Sequence, residues 1–199
     1  AFVLLFPPQE GLELWVALYW GWVPLDGIQE REERDHVPYR DWIRAEFLRG
    51  CPGDIVDYDD VEQTIRQAAA DFDLVTLGLD PALSWTLSQR LMQDGPGYKG
   101  LEVIEISQTM MGMSPATKQV ELLLRKHQLL HEHNTAARWC FGNVRCAVDG
   151  NENMKPMKNR STGRIDITVA WIIAMATAMV KGAEKPDLAG AMERPDFSL

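Results

Sequence analysis

The segment Asn153 to Ala170 (Asn-Met-Lys-Pro-Met-Lys-Asn-Arg-Ser-Thr-Gly-Arg-Ile-Asp-Ile-Thr-Val-Ala) carries the residues best suited to chemistry in this chain. Four cations, Lys155, Lys158, Arg160 and Arg164, lead into one acid, Asp166, which opens an apolar run. Mg²⁺ and Mn²⁺ take carboxylate oxygens, and lysine and arginine neutralise phosphates. Such a junction suits a metal-dependent phosphodiester site. A plainer alternative makes Asp166 the complement of a helix dipole, preceded by a solvated basic loop. A second acid, Asp80, follows the apolar run Leu74 to Leu79 and precedes Pro81. Open α/β sheets place ligands outside the carboxyl ends of their strands, where this spacing puts Asp80. Its alternative role is to cap the helix that follows. Together the two acids suit one sheet edge and two-metal cleavage, which usually needs a third carboxylate.

The elements that must position these acids can be read from periodicity and turn signals. Phe2 to Phe6 and Leu12 to Trp20 are strand-like, and Pro7-Pro8-Gln-Glu-Gly11 between them predicts a hairpin. Gly21 to Asp35 reads as a connection whose charged run, Gln29 to Asp35, is a solvated face without chemistry. Helical spacing covers Pro38 to Leu48 and Asp60 to Asp71, with a short extended piece, Asp54 to Tyr58, between them. Asp57 and Asp59 read as caps of the helix after them. Leu74 to Leu79 is a buried strand, Ser84 to Gln93 a helix stopped by Asp94-Gly-Pro-Gly97, and Leu101 to Ile106 a further strand. Pro115 to His127 reads as a helix with Ser114 as its N-cap. Asn143 to Val148 is a strand, and Ile165 to Val180 is the last long helix. A hairpin followed by β/α units predicts an α/β fold with a mixed sheet.

Composition narrows the class without naming the activity. The 199 residues suit one domain with a sizeable core. A net charge of −9 argues against a generic nucleic-acid coat, but a local basic strip can bind a backbone while the body stays acidic. Three cysteines, Cys51, Cys140 and Cys146, form no C-x-x-C pair, which points to a reducing compartment. The apolar run Ile167 to Val180 is too short to span a membrane, so no membrane partner is expected. The Gly- and Pro-containing stretch 182–199 reads as a mobile tail. Neither G-x-x-x-x-G-K-[ST] nor G-x-G-x-x-G occurs, and Ser84 and Ser114 lack a G-x-S-x-G setting. The seven tryptophans and nine methionines are expected to pack the core.

Several short motifs occur in the order found in the large terminase subunits of tailed bacteriophages. They are Pro38-Tyr-Arg-Asp-Trp42, Gly53-Asp-Ile-Val-Asp-Tyr-Asp59, Leu77-Gly-Leu-Asp80 and Met110-Met-Gly-Met-Ser-Pro-Ala-Thr-Lys118. Leu130-His131, Arg138-Trp139, Asn143, Asn153 to Lys158 and Ser161 to Asp166 continue the series. From Ala1 to about Val180 the chain resembles the C-terminal nuclease domain of that family, close to its HK97-type branch.

The resemblance implies a ribonuclease H-like α/β fold, with a mixed central sheet flanked by helices over residues 1–181. It implies metal-dependent cutting of concatemeric double-stranded viral DNA with Mg²⁺ or Mn²⁺. Asp80 and Asp166 carry over as catalytic metal ligands, and Lys155 and Lys158 match a Lys-Pro-x-Lys element, whose lysines either contact DNA phosphates or offset charge near the metals, or else form a solvated loop. Arg160 and Arg164 are weaker DNA-binding candidates. The family's first acid lies on a strand just before the stretch matching Ala1 to Phe6, so activity is expected to need that upstream residue. His131-Glu-His133 has the look of a metal site, but the family uses hard oxygen ligands. Expected partners are the ATPase domain of the same polypeptide, the small terminase subunit and the portal, in the host bacterial cytoplasm. Two rival readings are another ribonuclease H-like nuclease, of resolvase or transposase type, and a catalytically silent docking module.

Overall fold

The fold was analysed in a computed structural model, which describes residues 1–72, 74, 76–81, 85–93 and 100–182. Ser84, the Asp94-Gly-Pro-Gly97 helix stop and the tail after Gly182 lie outside them. Strand β1 (Phe2–Phe6) pairs antiparallel with β2 (Trp15–Trp20), Phe2 opposite Trp20 and Phe6 opposite Val16. β2 pairs parallel on its other edge with β7 (Leu129–His131). A second ladder joins β5 (Thr76–Leu79) to β6 (Glu102–Glu105) in parallel.

Helices cover both faces of this strand layer, which explains why β1 is apolar at every position. Alternation sends Phe2, Leu4 and Phe6 to one face and Val3 to the other. The first set packs with Ile65 and Phe72 of α3 (Tyr58–Phe72) and Leu87 and Leu91 of α4 (Trp85–Leu91). Val3 instead joins Ala17 and Tyr19 against α7 (Asp166–Lys181), α5 (Met110–Arg125) and α6 (Thr135–Asn143). Trp171 and Met175 of α7 are essentially inaccessible at the centre of that cluster. The expectation that the apolar 165–180 run is a core helix holds.

Other expectations shift. The charged run after Gly21 is not a plain connection: β3 (Trp22–Pro24) pairs parallel with β4 (Arg49–Cys51), and Ile28–Asp35 forms helix α1. Helix α2 (Tyr39–Arg44) is shorter than the 38–48 span, because positive φ at Glu46 ends the helical path. Residues 54–57 are bends and coil rather than extended. Asp57 does cap α3, accepting from the Asp59 amide at 2.9 Å, whereas Asp59 pairs with Arg90 at 2.8 Å. Helix α5 begins five residues earlier than Pro115, with Thr109 as N-cap accepting from Gly112 N at 3.1 Å. Ser114 lies buried inside that helix and accepts from Met154 N at 3.1 Å. Asn143 closes α6 instead of opening a strand, and β8 (Cys146–Val148) follows it. β8 turns back on β9 (Met154–Pro156), so the basic segment begins as the second arm of a hairpin.

Candidate active site

Asp166 stands at the first position of α7, at the end of a loop that begins after β9. The loop is held from below by Asn143, a buried amide at the end of α6. Its Nδ2 donates to the Arg164 carbonyl at 3.1 Å, its Oδ1 accepts from the Thr162 hydroxyl at 3.2 Å, and its backbone carbonyl accepts from Thr162 N at 3.2 Å. Gly163 lies so close that a Cβ there would be 2.7 Å from Asn143 Nδ2 and 3.0 Å from Trp139. No larger residue fits without displacing that amide. Ser161 adds a tie, donating to the Met157 carbonyl at 2.8 Å and accepting from Arg145 N at 3.2 Å.

The four cations of this segment have separate fates. Lys158 Nζ sits 2.8 Å from Asp166 Oδ1, with both side chains more than half exposed. Burial pushes the Asp166 carboxyl up, but the hydrogen bond and charge of Lys158, with help from Arg164, outweigh it and hold the group below its ordinary value. Arg164 itself reaches Asp35 at 3.6 Å. Asp35 is nearly covered and also takes Arg34 at 2.7 Å and the Tyr39 hydroxyl at 2.8 Å. The Arg34 hydrogen bonds, followed by that of Tyr39, bring its carboxyl down to about 2 despite burial. Lys155, on β9 opposite Ala147, donates to the Gln108 carbonyl at 2.6 Å. Arg160 is exposed, and its backbone amide closes the turn onto Met157 at 3.1 Å.

Asp80 leaves the carboxyl end of β5, as its position after an apolar run suggested. α7 runs antiparallel to that strand, as two contacts show. Lys181 at its end pairs with Glu102, which is opposite Thr76. A Cβ on Gly78, two residues further along β5, would overlap the Thr177 hydroxyl. From that contact both elements run toward the same end of the strand layer, Asp80 two residues beyond Gly78 and Asp166 eleven residues before Thr177, at roughly 7 Å and 16 Å of strand and helix rise. Ala1, next to the start of β1, borders a cavity that Asp80 also lines.

These residues fit a hard divalent cation in part. Asp166 already faces a cationic ammonium, and Asp80 lines the cavity beside β1 and β5. Among the described residues no group of three His, Cys, Asp or Glu side chains converges on one point. Glu132 of the His131-Glu-His133 motif is occupied with fold, its Oε1 accepting from Tyr19 N at 2.9 Å. Burial raises its carboxyl above the ordinary range. The two histidine rings flank it with centroids 6.3 Å apart. Beside β1 and β5 lies a cavity of about 350 Å³, lined by both strands, by Asp80 and by Ile173 and Thr177 of α7. Asn143, Gly163 and Asp35 were not among the candidate residues. Asn143 and Gly163 stood only inside ordered motifs, and Asp35 was assigned to a solvated run.

Comparison with known proteins places this geometry. A family model described as the endonuclease domain of the terminase large subunit matches residues 9–182. The chain belongs to that family. The terminase large subunit of Enterobacteria phage HK97 is 31% identical over 166 residues, covering 83% of this chain and 32% of that protein. Protein YmfN of Escherichia coli K12 is 27% identical over 165 residues, covering 80% of this chain and 35% of its own length. A crystal structure of the HK97 large terminase superposes with a TM-score of 0.77 at 29% identity, over 88% of this chain and 36% of that one. The fold is therefore the ribonuclease H-like fold of terminase nuclease domains, as expected. The chain spans about a third of the length of these relatives. Among the described residues no helix is long and apolar enough to cross a membrane.

Proposed function

We propose that this chain is the DNA-cutting domain of a viral packaging machine. It acts as a metal-dependent endonuclease on concatemeric double-stranded viral DNA, through two-metal phosphodiester hydrolysis. The observation that supports this most is the placement of Asp166. The loop network supports the start of α7, where the Asp166 carboxylate pairs with Lys158, and β5 runs toward the same end of the strand layer before Asp80.

In this reading Asp80 and Asp166 hold Mg²⁺ or Mn²⁺, and a third carboxylate arrives on a strand that enters the cavity between β1 and β5. The apolar walls of that cavity, Leu77 and Ile173 among them, suit the side chains of such a strand. Bound divalent cations would supply Lewis-acid charge on both sides of the scissile phosphate. Asn143 and Gly163 hold the loop backbone that leads into Asp166, which limits the reorganisation needed when a cation enters. Lys155 and Lys158 border the DNA path, and Arg160 extends their positive field outward. Arg164 serves chiefly to tie the loop to Asp35. Residues 1–181 form the nuclease unit of a longer polypeptide that also carries an ATPase domain. That polypeptide works with the small terminase subunit and the portal in the host bacterial cytoplasm.

Cleavage of plasmid by the longer polypeptide, titrated with Mg²⁺ and Mn²⁺, tests the reading. Metal-dependent nicking and linearisation are expected, with loss in Asp166→Ala. Undiminished metal-dependent cutting by that variant would remove Asp166 from the mechanism. Failure of the unsubstituted protein to cut at all would favour a docking role instead.

A further inference from the structure

Lys158 lies between two features that both attract it. On one side its ammonium is 2.8 Å from the Asp166 carboxylate. On the other it borders a groove of about 290 Å³ also lined by Lys155, Asn159 and Gln108. Lys155 is anchored there by its bond to the Gln108 carbonyl, so the groove keeps one fixed positive charge whichever way Lys158 points. Two lysines and two amide residues, set among Met113, Pro156, Met157 and Val169, give this groove donors that suit a backbone phosphate. A cation on Asp166 and a phosphate in the groove therefore make opposite demands on a single ammonium.

We propose that Lys158 is an internal counter-ion that couples the two sites. Without DNA it neutralises Asp166 and competes with a divalent cation. A backbone phosphate in the groove draws the ammonium away and frees the carboxylate. The inference rests on the reading of Asp166 as a cation ligand. By linkage the coupling is reciprocal: cation on Asp166 releases Lys158 and strengthens the hold on phosphate. The pair is exposed, which limits the competition to a modest factor but leaves the side chain room to swing. Its use would be order of events. The site is disarmed in solution and armed only where DNA lies in the groove.

The test is Mn²⁺ binding to the longer polypeptide, followed by the electron paramagnetic resonance of free Mn²⁺. It is run with and without a short phosphorothioate duplex that resists hydrolysis. Without DNA, Lys158→Gln is expected to bind Mn²⁺ about 3- to 5-fold more tightly than the unsubstituted protein. Lys158→Arg, which can still pair with Asp166, should remain weak. Arg160→Gln removes the same charge from the same loop without touching Asp166 and should change affinity less than about 2-fold. Adding the duplex should tighten Mn²⁺ binding more in the unsubstituted protein than in Lys158→Gln. Equal affinities of the unsubstituted protein and Lys158→Gln in the absence of DNA would overturn the coupling alone, provided Asp166→Asn abolishes the binding. Unchanged Mn²⁺ binding in Asp166→Asn would overturn the metal reading and the coupling with it.

Discussion

The two acids at the candidate site are supported in different ways. Asp166 ends a loop gripped by α6 through Asn143, by α1 through Asp35 and by its own turn through Ser161. Asp80 ends a four-residue strand whose ladder partner is β6, and it lines the cavity beside β1. One carboxylate is built into the fold by side chains from distant elements. The other is carried by the sheet, at the end of a strand that borders that cavity. The difference teaches that two acids carried toward one end of a strand layer can be positioned by different means. The loop acid is set by polar contacts along its loop, and the strand acid by the ladder of β5 with β6.

Substitutions that loosen the loop should break this contrast, and the largest effect is expected at Asn143. Replacing it with alanine removes the side-chain bonds to the Arg164 carbonyl and the Thr162 hydroxyl in a half-buried site, at a cost of about 2 kcal/mol. For a domain of this size the melting temperature should fall by roughly 4–10 °C. Cleavage by the longer polypeptide should drop by about 10–100-fold, as for other supports of a metal ligand. Calorimetry and a plasmid assay read the two effects separately. Gly163→Ala pushes a methyl against the same amide and Trp139, and should cost about 1–3 kcal/mol by overpacking. Chemical denaturation of that variant should show a lower midpoint with an unchanged slope.

Asp35→Asn sharpens the comparison by removing the charge that anchors Arg164 while keeping shape. Because the folded carboxyl is held near 2, below its value in the unfolded chain, its contribution is fully present above about pH 4. It is lost as pH falls through about 2. The stabilisation removed by the substitution should be about 2 kcal/mol at neutral pH and vanish in acid. Paired urea melts at neutral pH and near pH 2.5 measure it, and an equal deficit at both would contradict the charge-based account. Arg160→Ala should do least. Stability should change by less than about 0.5 kcal/mol, while the salt slope of duplex binding falls by about one.

The sequence made the acids visible because each adjoins an apolar run, Leu74 to Leu79 for Asp80 and Ile167 to Val180 for Asp166. Long, uniformly apolar elements such as β1 and α7 were legible for the same reason: burial on every face leaves an unbroken pattern. Four of the five three-residue strands among the described residues, β3, β4, β7 and β9, are too short to carry a period, and only β8 fell within an expected strand, Asn143 to Val148. α5 was misplaced because Ser114-Pro115 imitates a helix start, whereas Thr109 makes the actual cap and Ser114 serves the β9 backbone. The supports of Asp166 were hidden more deeply. Asn143 and Asp35 act on residues far along the chain, and nothing in their immediate neighbours marks an amide or carboxylate that folding will bury. The ordered motifs carried the family, and only the fold showed what the residues inside them hold.

The central claim is that Asp166 and Asp80 share divalent cations at one sheet edge. Anomalous diffraction from crystals of the longer polypeptide, grown with Mn²⁺ and an uncleavable duplex, tests it most directly. Manganese peaks bonded to carboxylate oxygens of both Asp80 and Asp166, with Lys158 turned to a phosphate, are the predicted result. Saturating Mn²⁺ with Lys158 still on Asp166, and manganese bound only elsewhere, would contradict it.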